Sequence, residues 1–160
     1  MTRCFRIVQT SHAGAAFDGK GAESFGGRWN SVGVKMVYTS ATLSLAILEI
    51  LVHLESDAVL ESRYRHIAAD IPEEIAIERL SLRKLHPLWA ANPPGEHSRR
   101  IGDAWIGSCH SAALMIPSAI VPSEMNILLN PLHRDFSRII IHKPQKIVLD
   151  ARLLAKLERT

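Results

Sequence analysis

Short hydrophobic runs bounded by turn residues recur along the chain and indicate strands. These runs lie at residues 4–9, 34–38, 62–71, 75–80, 112–116, 138–142 and 146–149. Helical spacing of apolar residues predicts a helix over 41–55 and shorter helices over 82–91 and 97–108. Strands and helices in irregular order are typical of an α+β fold with a mixed sheet. The length of 160 residues predicts that residues 1–160 form a single compact domain.

The helix over 41–55 is apolar on nearly all faces, so we predict that it is buried at the centre of the domain. Glu49 is the only formally charged residue between Leu43 and Leu54, and His53 follows one turn later on the same side. A partly buried carboxylate must find a partner or shift its pKa. A catalytic carboxylate and an ion pair with an arginine both fit this position. His53 fits a packing histidine that is hydrogen-bonded.

A polar segment over residues 11–33 carries six glycines and no hydrophobic period, which predicts a long loop. Within it, the sequence from Phe25 to Gly33 surrounds Arg28 with glycines and Trp29. Glycines allow a ligand to approach the backbone closely, and the planar guanidinium suits diphosphate oxygens. Taken alone, the segment favours a simpler interpretation, a glycine turn pinned by Trp29 with Arg28 in a surface salt bridge.

Ser118 directly follows a predicted strand and Pro117, where a hydroxyl has a fixed direction at the strand end. No GxSxG motif surrounds it and no general base is evident, so a serine hydrolase is disfavoured and Ser118 is interpreted as a hydrogen-bonding residue. Asn126 and Asn130 follow. They fit contacts with a ligand amide or ribose, and they also fit turn-capping, the commoner role.

Composition narrows the function classes. The net charge is +3 with mixed signs, and basic residues are not interleaved with aromatics, so direct nucleic-acid binding is not expected. Cys4 and Cys109 lie far apart and outside any CxxC motif, so neither a metal site nor a disulfide framework is indicated. No apolar run has the length of a secretory signal or a membrane span, which favours the cytoplasm.

Several of these segments, taken in order, resemble the RES domain family, which is named for an arginine, a glutamate and a serine. The resemblance covers almost the whole chain. Its main motifs are Gly26-Gly27-Arg28-Trp29-Asn30, Val37-Tyr38-Thr39-Ser40, Leu48-Glu49 with Leu51-Val52-His53, Gly102-Asp103, Ile116-Pro117-Ser118-Ala119, and Asn126 with Leu129-Asn130-Pro131. One departure is conservative, because Ile116 stands where valine is more frequent, and another, His133-Arg134 in place of a His-Pro pair, is a loop change.

The resemblance implies an ADP-ribosyltransferase-like fold and a toxin of a bacterial toxin–antitoxin pair. Family members degrade NAD⁺ by phosphorolysis or hydrolysis, and some are thought to transfer ADP-ribose to a protein. NAD⁺ would then be a substrate, inorganic phosphate a co-substrate of phosphorolysis, and no resident cofactor is expected. The expected partner is a helical, DNA-binding antitoxin that blocks the active site, and a homodimer within the larger complex is also considered.

On this resemblance the catalytic residues are Arg28, Glu49 and Ser118. Arg28 would hold the diphosphate, Glu49 would stabilise positive charge at the anomeric carbon, and Ser118 would orient the leaving amide or the ribose. The predicted substrate-binding residues are Tyr38, Trp29, Asn126, Asn130 and His53. A core role is the alternative for Tyr38. A non-catalytic nucleotide-binding module is the alternative for the whole chain.

Overall fold

The computed structural model of the protein describes residues 1–54 and 60–153. The strands of this part are β1 (Thr2–Gln9), β2 (Val37–Ser40), β3 (Tyr64–Ile71), β4 (Ile77–Arg79), β5 (Ala113–Pro117), β6 (Met125–Leu129), β7 (Ile140–Ile141) and β8 (Gln145–Lys146). Its α-helices include α1 (Lys20–Phe25), α2 (Leu43–Leu51), α3 (Leu60–Arg63) and α4 (Glu96–Ser108).

The eight strands form one sheet in the order β4-β5-β6-β2-β1-β3-β7, and β8 also pairs with β3. Strands β4 and β5 are parallel, whereas the other neighbours are antiparallel. The sheet is therefore mixed, and the predicted α+β class is confirmed. Strands β1 and β2 are paired through a single residue pair, Phe5 with Ser40, so the pairing at the centre of the sheet is short.

Buried side chains cover both faces of the sheet. Along β5, Ala113 and Met115 contribute to one apolar cluster, while Leu114 and Ile116 contribute to the other. This alternation follows from the two-residue period of a strand. The second cluster also contains Trp105 of α4, so α4 packs on the face that carries Leu114 and Ile116.

Helix α4 packs tightly against the loop at residues 26–36, which joins α1 to β2 and is called the glycine-rich loop below. A Cβ atom on Gly102 would lie 1.7 Å from the carbonyl oxygen of Trp29, so the two backbones touch directly. One turn of the helix also holds Ser31, because the Asp103 carboxylate accepts hydrogen bonds from the Ser31 amide (2.9 Å) and hydroxyl (2.6 Å). The loop that carries Arg28 is thus fixed by contacts with a helix more than seventy residues away along the chain.

Most predicted elements are confirmed, with shifted ends. Strands β1, β3, β4 and β5 and helix α4 lie close to their predicted positions, whereas β2 begins at Val37 because the Val34 amide closes a turn with Ser31. The predicted loop over 11–33 contains a 3-10 helix and α1. The prediction of a helix over 82–91 is wrong: only Leu82–Lys84 forms a 3-10 turn, and Pro87 limits further helix.

Strand β6 was not predicted, because Asn126 and Asn130 suggest a loop. Both asparagines lie at strand ends, where hydrogen bonds satisfy their side chains. The two predicted strands nearest the C-terminus are observed as the short β7 and β8.

Helix α2 is half-buried, not central as its apolar sequence predicts. Leu45 and Ala46 are buried, whereas Leu48 and Val52 are 41% and 61% exposed. The helix lies at the side of β1 and β2, so only one of its apolar faces meets the sheet. Residue 55, the predicted end of the helix, lies outside the described residues.

Candidate active site

A cavity of about 660 Å³ lies where β1 and β2 separate. Its walls come from β1, the loop at 26–29, β2, α2, the end of β5 and Asn126. Ligand-binding cavities typically enclose about 300–1,000 Å³. The cavity therefore has the size of a small-molecule site, and it is lined by residues distant in sequence.

Glu49 extends from α2 into this cavity, and two neighbours fix its carboxylate. Oε1 accepts a hydrogen bond from the Ser118 hydroxyl at 2.8 Å and another from the Asn126 side-chain amide at 2.6 Å. The Ser40 hydroxyl in turn donates to Asn126 Oδ1 at 2.7 Å, which orients that amide. Because no hydrogen bond from the described residues reaches Oε2, this second oxygen remains available to a ligand.

Ser118 is fully buried and holds Glu49 from behind. Its hydroxyl oxygen accepts hydrogen bonds from the amides of Ile120 (3.0 Å) and Val121 (3.1 Å), while its proton points to Glu49. The predicted role of orienting a leaving amide or ribose is therefore corrected, because the hydroxyl is enclosed by the protein. Ser118 is a positioning residue for the carboxylate.

Arg28 is half-buried and also lines the cavity. Nη1 donates to the carbonyls of Trp89 and Ala91, both at 2.9 Å, which anchors the guanidinium to the segment before α4. Burial lowers its pKa, and the negative charge of Glu49 opposes this shift. No salt bridge forms between Arg28 and the described acidic residues, so the remaining donors can receive an anion.

Arg6 of β1 is a second cation at this cavity that sequence reasoning did not select. Its Nη1 donates to the Tyr38 carbonyl at 2.8 Å, whereas its buried Nε has no partner among the described residues. Burial lowers the pKa of Arg6, and Asp18 opposes this effect. The available signal was its place in β1: it shares a strand face with the core residues Cys4 and Val8.

Tyr38 fixes the glycine-rich loop with its hydroxyl. The hydroxyl donates to Asn30 Oδ1 at 2.7 Å and accepts the Trp29 amide at 3.0 Å. Asn30 is fully buried, and its Nδ2 donates to backbone carbonyls of the surrounding loop. Burial raises the pKa of Tyr38. The hydroxyl is committed to the loop, and Gly27 is required because a Cβ there would lie 2.5 Å from it.

The remaining predicted residues fall into two groups. Asn126 and His53 line the cavity, with His53 exposed at its rim. Trp29 also contributes to the wall, although the residue is only 2% exposed and its ring packs against Trp89 with centroids 6.0 Å apart, so it belongs mainly to the core. Asn130 does not line the cavity: it is fully buried, and its Oδ1 caps the turn at Leu132.

Among residues 1–54 and 60–153, no group of three histidine, cysteine, aspartate or glutamate side chains is placed to bind a metal ion. The helices of the same residues lack the combined length and apolarity that crossing a membrane requires.

The fold has a close counterpart among solved structures. The crystal structure of the Mycobacterium tuberculosis MbcT–MbcA toxin–antitoxin complex contains a chain that superposes with a TM-score of 0.74. The superposition covers 99% of this chain and 89% of that chain at 19% sequence identity, which establishes the shared fold.

Sequence comparisons place the chain more narrowly. It is 38% identical over 136 residues to Toxin Res of Photorhabdus laumondii, covering 85% of this chain and 86% of that protein. It is also 38% identical over 159 residues to the Prs ADP-ribosylating toxin of Sphingobium sp. strain YBL2, covering 97% of this chain and 98% of that protein. The family model described as the RES domain matches residues 3–150. The chain belongs to the RES domain family.

Proposed function

We propose that this protein is the toxin of a toxin–antitoxin pair and that it cleaves the bond between nicotinamide and ribose in NAD⁺. The observation that carries the proposal is Glu49, whose Oε1 is fixed by Ser118 and Asn126 while Oε2 is left for a ligand. The two relatives described as toxins support the biological role.

The donor would be held chiefly through its diphosphate. Arg28 and Arg6 both line the cavity, and each keeps donors that the described residues do not use. A guanidinium binds phosphate oxygens through charge-assisted hydrogen bonds. With two arginines and one glutamate among its charged lining residues, the cavity attracts the dianionic diphosphate of the ligand.

Bond cleavage would centre on Glu49. As the bond between the anomeric carbon and the nicotinamide nitrogen breaks, its electron pair leaves with nicotinamide, and positive charge develops on the ribose. The carboxylate accepts hydrogen bonds from ribose hydroxyls through Oε2 and stabilises this charge. The carboxylate stabilises this charge effectively only if its position is fixed. The hydrogen bonds from Ser118 and Asn126 fix it.

Three nucleophiles are compatible with this donor site. Attack by phosphate gives ADP-ribose 1″-phosphate, and attack by water gives ADP-ribose with loss of a proton. Attack by a side chain of another protein gives an ADP-ribosylated acceptor, a second candidate favoured by the relative described as an ADP-ribosylating toxin. Arg28 and Arg6 would also help an anionic nucleophile to approach.

The partner would be an antitoxin protein. The solved structure with the same fold is a complex of a toxin with its antitoxin. We propose that a cognate antitoxin binds this chain and restrains its activity.

The decisive experiment incubates purified protein with NAD⁺, with and without inorganic phosphate, and identifies the products by mass. Glu49→Gln keeps the shape of the side chain but removes its charge, so NAD⁺ loss should slow on the order of 10²–10³-fold. Glu96→Gln is the matched control, since Glu96 lies exposed on α4, and it should retain the wild-type rate.

The products separate the nucleophiles. ADP-ribose 1″-phosphate that forms only with phosphate identifies phosphorolysis, free ADP-ribose identifies hydrolysis, and a mass increase on an acceptor protein identifies transfer. A Glu49→Gln protein that consumes NAD⁺ as fast as Glu96→Gln contradicts the proposal.

A further inference from the structure

A groove of about 330 Å³ lies beside the main cavity. Gly26, Gly27 and Pro94 line both spaces, so the groove adjoins the cavity. The other main groove residues are Phe25, Val32 and Arg99. The boundary between the two spaces therefore includes the backbone of two glycines, which a ligand longer than the main cavity would have to pass.

Phe25 is the most unusual surface residue of this groove. Its side chain is 86% exposed, and that of Val32 is 68% exposed. An exposed aromatic ring contributes little to the core, so the fold does not explain its presence. The ring lies at the C-terminal end of α1, one residue before the loop that carries Arg28.

Arg99 supplies a flat cationic group to the same groove. It is half-buried on α4, and its Nη2 donates to the Pro94 carbonyl at 2.6 Å, which restricts its orientation. None of the groove-lining residues is acidic. A phenyl ring and a guanidinium are the two kinds of flat surface on which a purine base stacks.

We propose that this groove binds the adenosine half of the dinucleotide, with the purine stacked on Phe25 and Arg99 on the adjoining wall. The inference rests on the proposed function, which places the reacting ribose at Glu49 and the diphosphate at Arg28 and Arg6. The diphosphate then bridges from the cavity to the groove, past Gly26 and Gly27. The size of the groove is at the lower end for ligand sites, which suits half of a dinucleotide.

The test measures binding, so that it does not depend on turnover. Isothermal titration calorimetry gives dissociation constants of ADP, which carries the adenosine half, and of nicotinamide mononucleotide, which lacks it. For Phe25→Ala the dissociation constant of ADP should rise roughly tenfold, because base stacking on an aromatic ring contributes that much to affinity. The constant for nicotinamide mononucleotide should not change.

Two further variants control this result. Phe25→Trp keeps a flat aromatic surface and should retain ADP binding. Val148→Ala removes an apolar side chain that is 84% exposed and lines neither the cavity nor the groove, so it should leave both constants unchanged. Thermal unfolding of each variant checks that the fold is retained.

Three outcomes overturn the assignment of the groove. They are wild-type protein that does not bind ADP, Phe25→Ala protein that binds ADP normally, and Phe25→Ala protein that loses both ligands equally. If Phe25→Ala leaves ADP binding intact but weakens binding of an antitoxin, the groove is a protein-docking surface instead. If ADP binding depends on Phe25 while Glu49→Gln leaves NAD⁺ loss unchanged, the groove assignment stands and the cleavage proposal fails.

Discussion

The contact between α4 and the glycine-rich loop gives a sharp test of how the site is held. Replacing Gly102 by alanine places a Cβ atom 1.7 Å from the Trp29 carbonyl oxygen. Carbon and oxygen atoms that are not bonded need about 3 Å, so the loop and the helix must separate by about 1.3 Å. The loop carries Arg28, and its displacement shifts the guanidinium relative to Glu49.

The energetic cost follows from two opposing effects. Forcing extra atoms into a packed contact costs about 1–3 kcal/mol, whereas alanine stabilises a helix interior by about 1 kcal/mol relative to glycine. Both partners of this contact are backbone, which cannot move aside as a side chain can, so the cost lies at the upper end. We expect Gly102→Ala to lower the free energy of unfolding by about 2 kcal/mol.

Gly107 on the same helix is the matched control. A Cβ atom there meets nothing within 4 Å, so Gly107→Ala should raise the free energy of unfolding by up to about 1 kcal/mol. Urea unfolding should therefore separate the two midpoints by roughly 1 M or more, and NAD⁺ loss should fall only for Gly102→Ala. If Gly102→Ala is as stable as Gly107→Ala, the helix does not fix the loop as described.

Two further substitutions test the carboxylates. Ser118→Ala leaves two partly buried amides without their partner and frees Glu49, so the free energy of unfolding should fall by about 1–3 kcal/mol and NAD⁺ loss should slow. The control Ser44→Ala, at an exposed position, should stay near wild type in both assays. Hydrogen bonds from Arg3 and His142 hold the pKa of Asp70 well below its usual range, so its stabilising effect is complete above about pH 4 and is lost as the pH falls further. As the pH is lowered from 5 to 2, the free energy of unfolding measured in urea should therefore fall less for Asp70→Asn than for wild type. An equal fall in both proteins would refute this.

The sequence alone indicates Glu49 as a candidate site residue, because the local pattern of apolar and charged positions in its helix sets it apart. One charged residue in an otherwise apolar helix needs a special environment, and that environment is a cavity. Its partners Ser118 and Asn126 are 69 and 77 residues away, and no periodicity connects them. Only the family resemblance grouped Ser118 with Glu49, and even then the resemblance did not reveal that the serine faces the carboxylate from within the protein.

Other features escaped prediction because they depend on tertiary contacts. The apolar faces of α2 predicted burial at the centre, but the sheet covers only one side of the helix, leaving Leu48 and Val52 exposed. Arg6 seemed an ordinary basic residue near the start of the chain, although its strand position directs it toward the core side. A two-residue period can identify such a position only after the neighbouring strands are known.

The mutual contacts of Gly27, Asn30, Tyr38, Trp29 and Gly102 limit how this part of the protein can diverge. A larger residue at Gly27 meets the Tyr38 hydroxyl, and one at Gly102 meets the Trp29 carbonyl oxygen. The effects of substitutions at these five positions on the free energy of unfolding should therefore be strongly non-additive. Tolerated variants are then expected to combine several compensating substitutions and seldom to carry one alone. Libraries designed to alter substrate choice would do better to vary the groove and keep this group intact.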